Sequence, residues 1–231
     1  MFFFWLVVCF LFIPQRLFVP VKVIGRKKLL RKQAVIIAGN HQSSLDPILI
    51  PMSLGFEPVV MAKHTLFKGK FGSWFFRHLG CIPVNRGDVG LSTVKSVLGA
   101  LKQNKPVLIF PEGTRKEVMD EGSALKGGVA MFSLKADCYI QPMFFLKKPR
   151  AFRINKLIIG DPFKLTEFEG QKITSELLDS ASKIVGEKIL ELKTNYYAEK
   201  EQKKLDKKNK KLEKKNKKLE KKNKKNKKTA N

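Results

Sequence analysis

Two short, uninterrupted apolar runs, Val35-Ile36-Ile37-Ala38 and Val107-Leu108-Ile109-Phe110, each pass directly into a polar, turn-forming motif. Such a run, rich in β-branched side chains, has no polar face, so it reads as a strand covered on both sides. A strand of that kind belongs in a sheet layered between helices, and residues at its end lie where α/β folds place their binding groups. The covering helices are also legible. Val94, Val97, Leu98 and Leu101 recur at i, i+3, i+4 and i+7, which predicts an amphipathic helix over residues 89–104. Further strands are expected at 21–24, 58–61, 80–86, 139–145 and 154–159, and further helices at 47–54, from 71, from 127 to 136 and from 173 to 197. Pro142 argues that the 139–145 strand is an edge or that the strand ends there. The fold class expected is α/β, a mixed central β-sheet flanked by helices.

The chain has 231 residues, 43% of them apolar, enough for one full domain core. Three parts are expected: an N-terminal segment over 1–32, an α/β domain over 33–198 and a Lys-rich low-complexity tail over 199–231. The net charge is +26, and the tail, with 17 Lys against 5 acidic residues, carries +12 of it. The remaining +14 still points to a polyanionic partner, either nucleic acid or an anionic membrane. The tail holds three copies of a Lys-Lys-Leu-(Asp/Glu)-Lys-Lys-Asn unit, with one Leu per heptad at Leu205, Leu212 and Leu219. A coiled-coil seam needs two apolar positions per heptad, so a solvated, disordered or partly helical polybasic arm is the expectation. Cys9, Cys81 and Cys138 sit in apolar runs without paired or metal-type spacing, and they read as small buried hydrophobes in a reducing compartment. Neither a disulfide nor a metal site is expected.

Residues 1–13 are uncharged and almost wholly apolar. As a helix they would rise about 20 Å against a hydrocarbon core of about 30 Å, which is short for a span. No basic stretch precedes them and no small-residue cleavage site follows, which argues against a signal peptide. Arg16, Lys22, Arg26, Lys27, Lys28, Arg31 and Lys32 come next. Apolar insertion beside basic residues suits an interfacial helix on the cytoplasmic face of a membrane carrying anionic lipids. A second candidate alternates Lys63, Lys68, Lys70 and Arg77 with Phe67, Phe71, Trp74, Phe75 and Phe76. At helical spacing Phe71, Phe75 and Leu79 form a stripe that is either core-facing or interfacial.

The polar motifs carry the chemistry. In Asn40-His41-Gln42-Ser43-Ser44-Leu45-Asp46-Pro47 the five-residue separation of His41 and Asp46 would turn them about 140° apart on a helix. A turn between strand and helix could instead bring the carboxylate onto the imidazole, giving a base and its orienter. Asp46-Pro47 is equally an ordinary helix start, with Asp at the N-cap and Pro at the first helical position. In Pro111-Glu112-Gly113-Thr114-Arg115-Lys116, glycine permits close backbone approach, Thr114 offers a hydroxyl, and Arg115 and Lys116 supply charge for a phosphate. Glu112 could steady those cations or bind a substrate hydroxyl. The glycine spacing is not that of a Walker loop. Arg86, at the end of the 80–86 strand, is a further cation at the sheet rim, and on its own would read as a solvated surface residue.

Together, Asn40 to Pro47, Gly80 to Arg86, Phe110 to Arg115 and the strand around Pro142 resemble the four ordered blocks of the glycerolipid acyltransferase family, nearest its 1-acylglycerol-3-phosphate acyltransferase branch. The resemblance covers roughly residues 1–195. Two departures are Asn85, where the family often carries Asp, and a looser fourth block at Ile140-Gln141-Pro142. The resemblance implies transfer of an acyl chain from a thioester, acyl-CoA or acyl carrier protein, to the free hydroxyl of lysophosphatidate, giving phosphatidate in phospholipid biosynthesis. His41 and Asp46 would be catalytic. Arg86, Glu112, Gly113, Thr114, Arg115 and Lys63, with Lys116, would hold the phosphate-bearing acceptor, and backbone N–H groups near the third block would meet the oxyanion. No cofactor is implied. Ser43 and Ser44 keep a covalent route open. Another lysophospholipid or glycerol-3-phosphate acyltransferase is the nearest alternative, with a hydrolase using the same pair as a third reading. A membrane-attached nucleic-acid-binding protein is the distant one, and the aromatics here follow a membrane pattern rather than one that reads bases.

Overall fold

A computed structural model of the chain describes residues 2–31, 33–85, 89–116, 118–120 and 125–228. It comprises two units, Met1–Leu192 and Lys193–Asn231. The first runs α1 (Phe2–Phe18), β1 (Val21–Ile24), β2 (Val35–Gly39), α2 (Asp46–Leu54), β3 (Val59–Lys63), α3 (Gly69–His78), β4 (Cys81–Val84), α4 (Leu91–Lys102), β5 (Val107–Ile109), α5 (Gly128–Ala136), β6 (Tyr139–Phe145), β7 (Asn155–Ile159) and the opening turns of α6 (Ser175–Lys228). The second unit is made of the later, Lys-rich residues of α6, helical to Lys228.

Seven strands form one sheet in the order β1-β7-β6-β2-β5-β3-β4. All pairs are parallel except β6 with β7, so the sheet is mixed. The continuous apolar runs are explained by two cores. Ile36, Ala38, Val107, Ile109, Ile140 and Phe144 face one cluster with Val97 and Leu101 of α4, Val129 and Phe132 of α5, and Ala181, Val185 and Ile189 of α6. Their neighbours Ile37, Leu108, Met143 and Phe145 face the other, with Leu49, Ile50 and Leu54 of α2. Successive strand side chains alternate faces, so a strand with both faces covered must be apolar at every position. Ile37 has no exposed surface, and its burial contributes about 1.5–3 kcal/mol.

Pro142 corrects an expectation. β6 is internal, lying between β2 and β7, and Pro142 sits mid-strand opposite Ala38. Its carbonyl accepts the Gly160 N–H at 2.9 Å, just past the last β6–β7 pair at Met143 and Ile159. The missing N–H of Pro142 faces that same side, so the ladder to β2 loses nothing. The cysteines also differ from expectation. Cys138 is buried, Cys81 is half-buried and Cys9 is exposed, and all three are free thiols. Burial pushes the Cys81 thiol up to about 11, and burial with Asp137 beside it pushes Cys138 up to about 12.

The α3 stripe is not core: none of its residues is buried, and Phe71 and Trp74 are 75% and 47% exposed. Phe71 stacks on Phe75 at 5.9 Å and lies 6.3 Å from Trp74. On α1, Leu6, Phe10, Ile13 and Leu17 are likewise exposed. Among the described residues no helix is long and apolar enough to cross a membrane.

Candidate active site

Because β2, β3, β4, β5 and β6 run the same way, their C-terminal ends share one rim of the sheet. The first motif leaves that rim from β2, Lys63 ends β3, Asn85 follows β4, and the Glu112 motif leaves from β5. Motifs some seventy residues apart in sequence become neighbours because β2 and β5 pair directly, Ile36 opposite Val107 and Ala38 opposite Ile109.

The chain leaves β2 through Asn40, which is 1% exposed. Its Nδ2 donates to the Phe145 carbonyl at 3.0 Å, and its Oδ1 accepts the Phe145 N–H at 2.8 Å. The side-chain amide thus takes the place of a backbone partner and lets the main chain turn away without orphaning the end of β6. His41 follows, bracketed by the second motif on both of its backbone groups. Its N–H donates to Glu112 Oε1 at 2.9 Å, and its carbonyl accepts the Lys116 N–H at 2.8 Å. Its ring stacks on Phe110, with centroids 4.2 Å apart and planes 18° from parallel.

Residues 42–45 form the turn that a contact between His41 and Asp46 needs. Asp46 is the first residue of α2, and the N-cap position belongs to Leu45, which makes no side-chain cap. The Asp46 carboxylate instead points back into the turn. Its Oδ2 accepts the N–H groups of Gln42 and Ser43, each at 2.7 Å, and meets His41 Nδ1 at 2.9 Å. Asp46 is fully buried and His41 is 5% exposed. A carboxylate oxygen only accepts, so Nδ1 carries the proton, which in a neutral ring leaves Nε2 as the acceptor. This is the arrangement of an oriented general base.

Glu112 is 4% exposed. Burial raises its carboxyl above the ordinary value of 4.5, while the His41 N–H and the Lys116 charge act against that rise. Gly113 has φ +65°, and a Cβ there would come within 2.8 Å of Lys126 Cδ and Cε. The left-handed turn therefore favours glycine, and the flexible Lys126 stem lies over it. Thr114, Arg115 and Lys63 are exposed and Lys116 is half-buried. Arg86 lies outside the described residues.

Beside His41 opens a cavity of about 100 Å³, reaching past Gly113 and Lys126 to Ile109, Val129 and Phe132. Its walls are mostly apolar, so it can take hydrocarbon at one end and present a polar atom to His41 at the other. The structure thus joins His41, Asp46, Glu112 and Gly113 in one cluster, with Thr114 and Arg115 on the adjoining loop and Lys63 at the end of β3. Sequence reasoning assigned no role to three residues that shape this cluster: Asn40, Phe110 and Lys126. Asn40 and Phe110 stood inside the motifs, but their partners are distant in sequence. Lys126 had no local signal beyond its place before Gly127-Gly128.

Comparison with known proteins bears on this geometry. Residues 20–146 match the family model described as Acyltransferase. A 1-acyl-sn-glycerol-3-phosphate acyltransferase of Borreliella burgdorferi is 29% identical, over 71% of this chain and 71% of the relative. The Bacillus subtilis protein of the same name is 28% identical, over 74% of this chain and 87% of its own length. The crystal structure of the 1-acyl-sn-glycerophosphate (LPA) acyltransferase PlsC from Thermotoga maritima superposes with a TM-score of 0.55 at 23% identity, covering 83% of this chain and 77% of that one.

Proposed function

The chain belongs to the acyltransferase family, and we propose that it transfers an acyl chain from a thioester to the free hydroxyl of 1-acylglycerol 3-phosphate, giving phosphatidate. The observation that carries this reading is the buried His41–Asp46 contact at 2.9 Å, with the imidazole facing an apolar cavity beside a cationic loop. His41 Nε2 takes the hydroxyl proton as the acceptor oxygen attacks the thioester carbonyl. Asp46 holds the ring and offsets the positive charge that develops on it. Collapse of the tetrahedral intermediate releases the thiolate, which takes the proton back from His41. No covalent acyl-enzyme is needed. Ser43 Oγ accepts the Leu45 N–H at 3.2 Å, an interaction that suits a turn-stabilising role.

Arg115, Lys63, Thr114 and the Gly113 backbone, together with Arg86, bind the acceptor phosphate. Anchoring it fixes the hydroxyl against the base and makes the attack effectively unimolecular. Glu112 serves differently from the other members of its loop. Its burial and its bond to the His41 N–H support a role in positioning His41 rather than in touching the acceptor. The cavity beside His41 receives the acyl chain and excludes water from the thioester. The exposed apolar residues of α1 and the Phe71–Trp74 face of α3, each near basic residues, support attachment to the cytoplasmic face of a membrane. Both lipid-like substrates then reach the site from that interface.

The test is acyl transfer by purified protein, wild type beside His41→Ala, with labelled acyl-CoA or acyl carrier protein and a panel of lysophospholipids plus glycerol 3-phosphate. Product with lysophosphatidate, lost by about 10²–10⁴-fold in the variant, is expected. Thioester hydrolysis that ignores added lysolipid would replace transfer with hydrolysis.

A further inference from the structure

The reaction proposed above uses no residue of the Lys-rich second unit. Residues 193–228 carry 18 Lys against 5 acidic residues, and residues 197–214 are exposed without exception. The charge is sorted rather than scattered. Each helical residue turns 100°, so Lys203, Lys204, Lys207 and Lys208 fall within a sector about 140° wide. Leu205, Asp206 and Asn209 occupy the rest. The next heptad repeats the pattern from Lys210, displaced by only about 20°. On the far side Asp206 accepts Gln202 Nε2 at 3.0 Å, while Glu199, at the sector's edge, pairs with Lys203 at 3.4 Å. Leu205 and Leu212 are 51% and 56% exposed, and one such residue per heptad is too narrow a stripe to seat a second helix.

Resting on the reaction proposed above, we propose that this helix is a lysine-faced tether for membrane lipids bearing a phosphomonoester headgroup, the class that includes both acceptor and product. A phosphomonoester carries between one and two negative charges near neutral pH, against one for a phosphodiester. At equal mole fraction it therefore offers the lysine sector more charge and more acceptor oxygens. A helix is about 10 Å across, wider than the Debye length of about 8 Å at physiological salt. Cations on the side away from the surface are screened, so gathering them on one sector matters. The sector holds lysine alone, with none of the polar and aromatic groups that nucleic-acid readers add beside their cations.

The experiment is vesicle flotation of the full chain carrying His41→Ala, so that no lipid turns over. Phosphatidylcholine vesicles hold equal mole fractions of phosphatidate or phosphatidylglycerol. One comparison variant replaces Lys203, Lys204, Lys207, Lys208, Lys210 and Lys211 by Gln, which keeps helix propensity. A second redistributes the same lysines around the helix at constant composition. Each cation at an anionic surface is worth about fivefold in affinity. The Gln variant should therefore bind phosphatidate vesicles at least tenfold more weakly, and the redistributed one about threefold more weakly. Phosphatidate should be preferred over phosphatidylglycerol by about threefold, and both this preference and the loss in the Gln variant should vanish near 1 M salt, where the Debye length is about 3 Å. Equal binding of the two lipids, unchanged binding by either variant, or displacement from vesicles by duplex RNA would overturn the proposal. Acyl transfer in detergent by the Gln variant with His41 intact reads the reaction separately, so either reading can fail alone.

Discussion

His41 is held on every side, whereas Lys63, Thr114 and Arg115 stand exposed at the same rim of the sheet. His41 is gripped through Nδ1 by Asp46, through its backbone N–H by Glu112, through its backbone carbonyl by Lys116 and across its ring face by Phe110. On the mechanism proposed above, the contrast is a division of labour. The proposed base is fixed by the fold, while the cations proposed to receive a charged headgroup stay hydrated until it arrives. Orientation would then be built in advance on the base side and supplied by the substrate on the phosphate side.

Substitutions at four residues, each with an expected outcome, press on that contrast. The largest effect should come from Asp46. All three donors converge on Oδ2, so Asp46→Asn can place its carbonyl oxygen there and lose only the charge, whereas Asp46→Ala loses orientation as well. Turnover should fall by about 10³–10⁴-fold for Ala and by clearly less for Asn. Equal losses would mean that charge alone explains the pair. Next, Asn40→Ala leaves the Phe145 N–H and carbonyl buried without partners, and should lower unfolding free energy by roughly 2–4 kcal/mol in a denaturant titration. No shift in the midpoint would remove Asn40 from the support of the site.

On the exposed side, Arg115→Ala should raise the KM for lysophosphatidate about tenfold, with little change for the acyl donor. A fall in kcat at constant KM would place Arg115 on the fixed side instead. The smallest effect concerns Glu112. Its folded carboxyl titrates above 4.5 because burial disfavours the charge, so the native state holds a proton that the unfolded chain has released. Stability should therefore decline as pH rises from 4.5 through the folded value. Glu112→Gln keeps an acceptor for the His41 N–H and removes that decline. Identical pH–stability curves for the two proteins would show that the burial of Glu112 carries no such cost.

Much of this was legible from residue order. The runs at Val35 and Val107 announced themselves as doubly covered strands because a sheet buried on both faces tolerates no polar position. The motifs after them were legible as rim residues for the same reason. The His41–Asp46 spacing showed that the two could meet only across a turn, yet it left Asp46 equally suited to cap α2. The turn at 42–45 decided that question by giving the carboxylate two N–H groups from the turn itself. Pro142 was misread as marking an edge or a strand end because one residue cannot reveal which side of its strand carries the next ladder. Asn40 went unassigned because its partner, Phe145, is 105 residues away.

By itself the sequence determined where the strands and most helices of the first unit form and that two polar motifs end buried strands. Each of these is a local property of side-chain period and turn chemistry. Only the tertiary structure decided the strand order β1-β7-β6-β2-β5-β3-β4. That order sets β2 beside β5 and so brackets His41 with residues 110–116. Strand neighbours are chosen by burial of two faces at once, a condition that no stretch of chain satisfies alone.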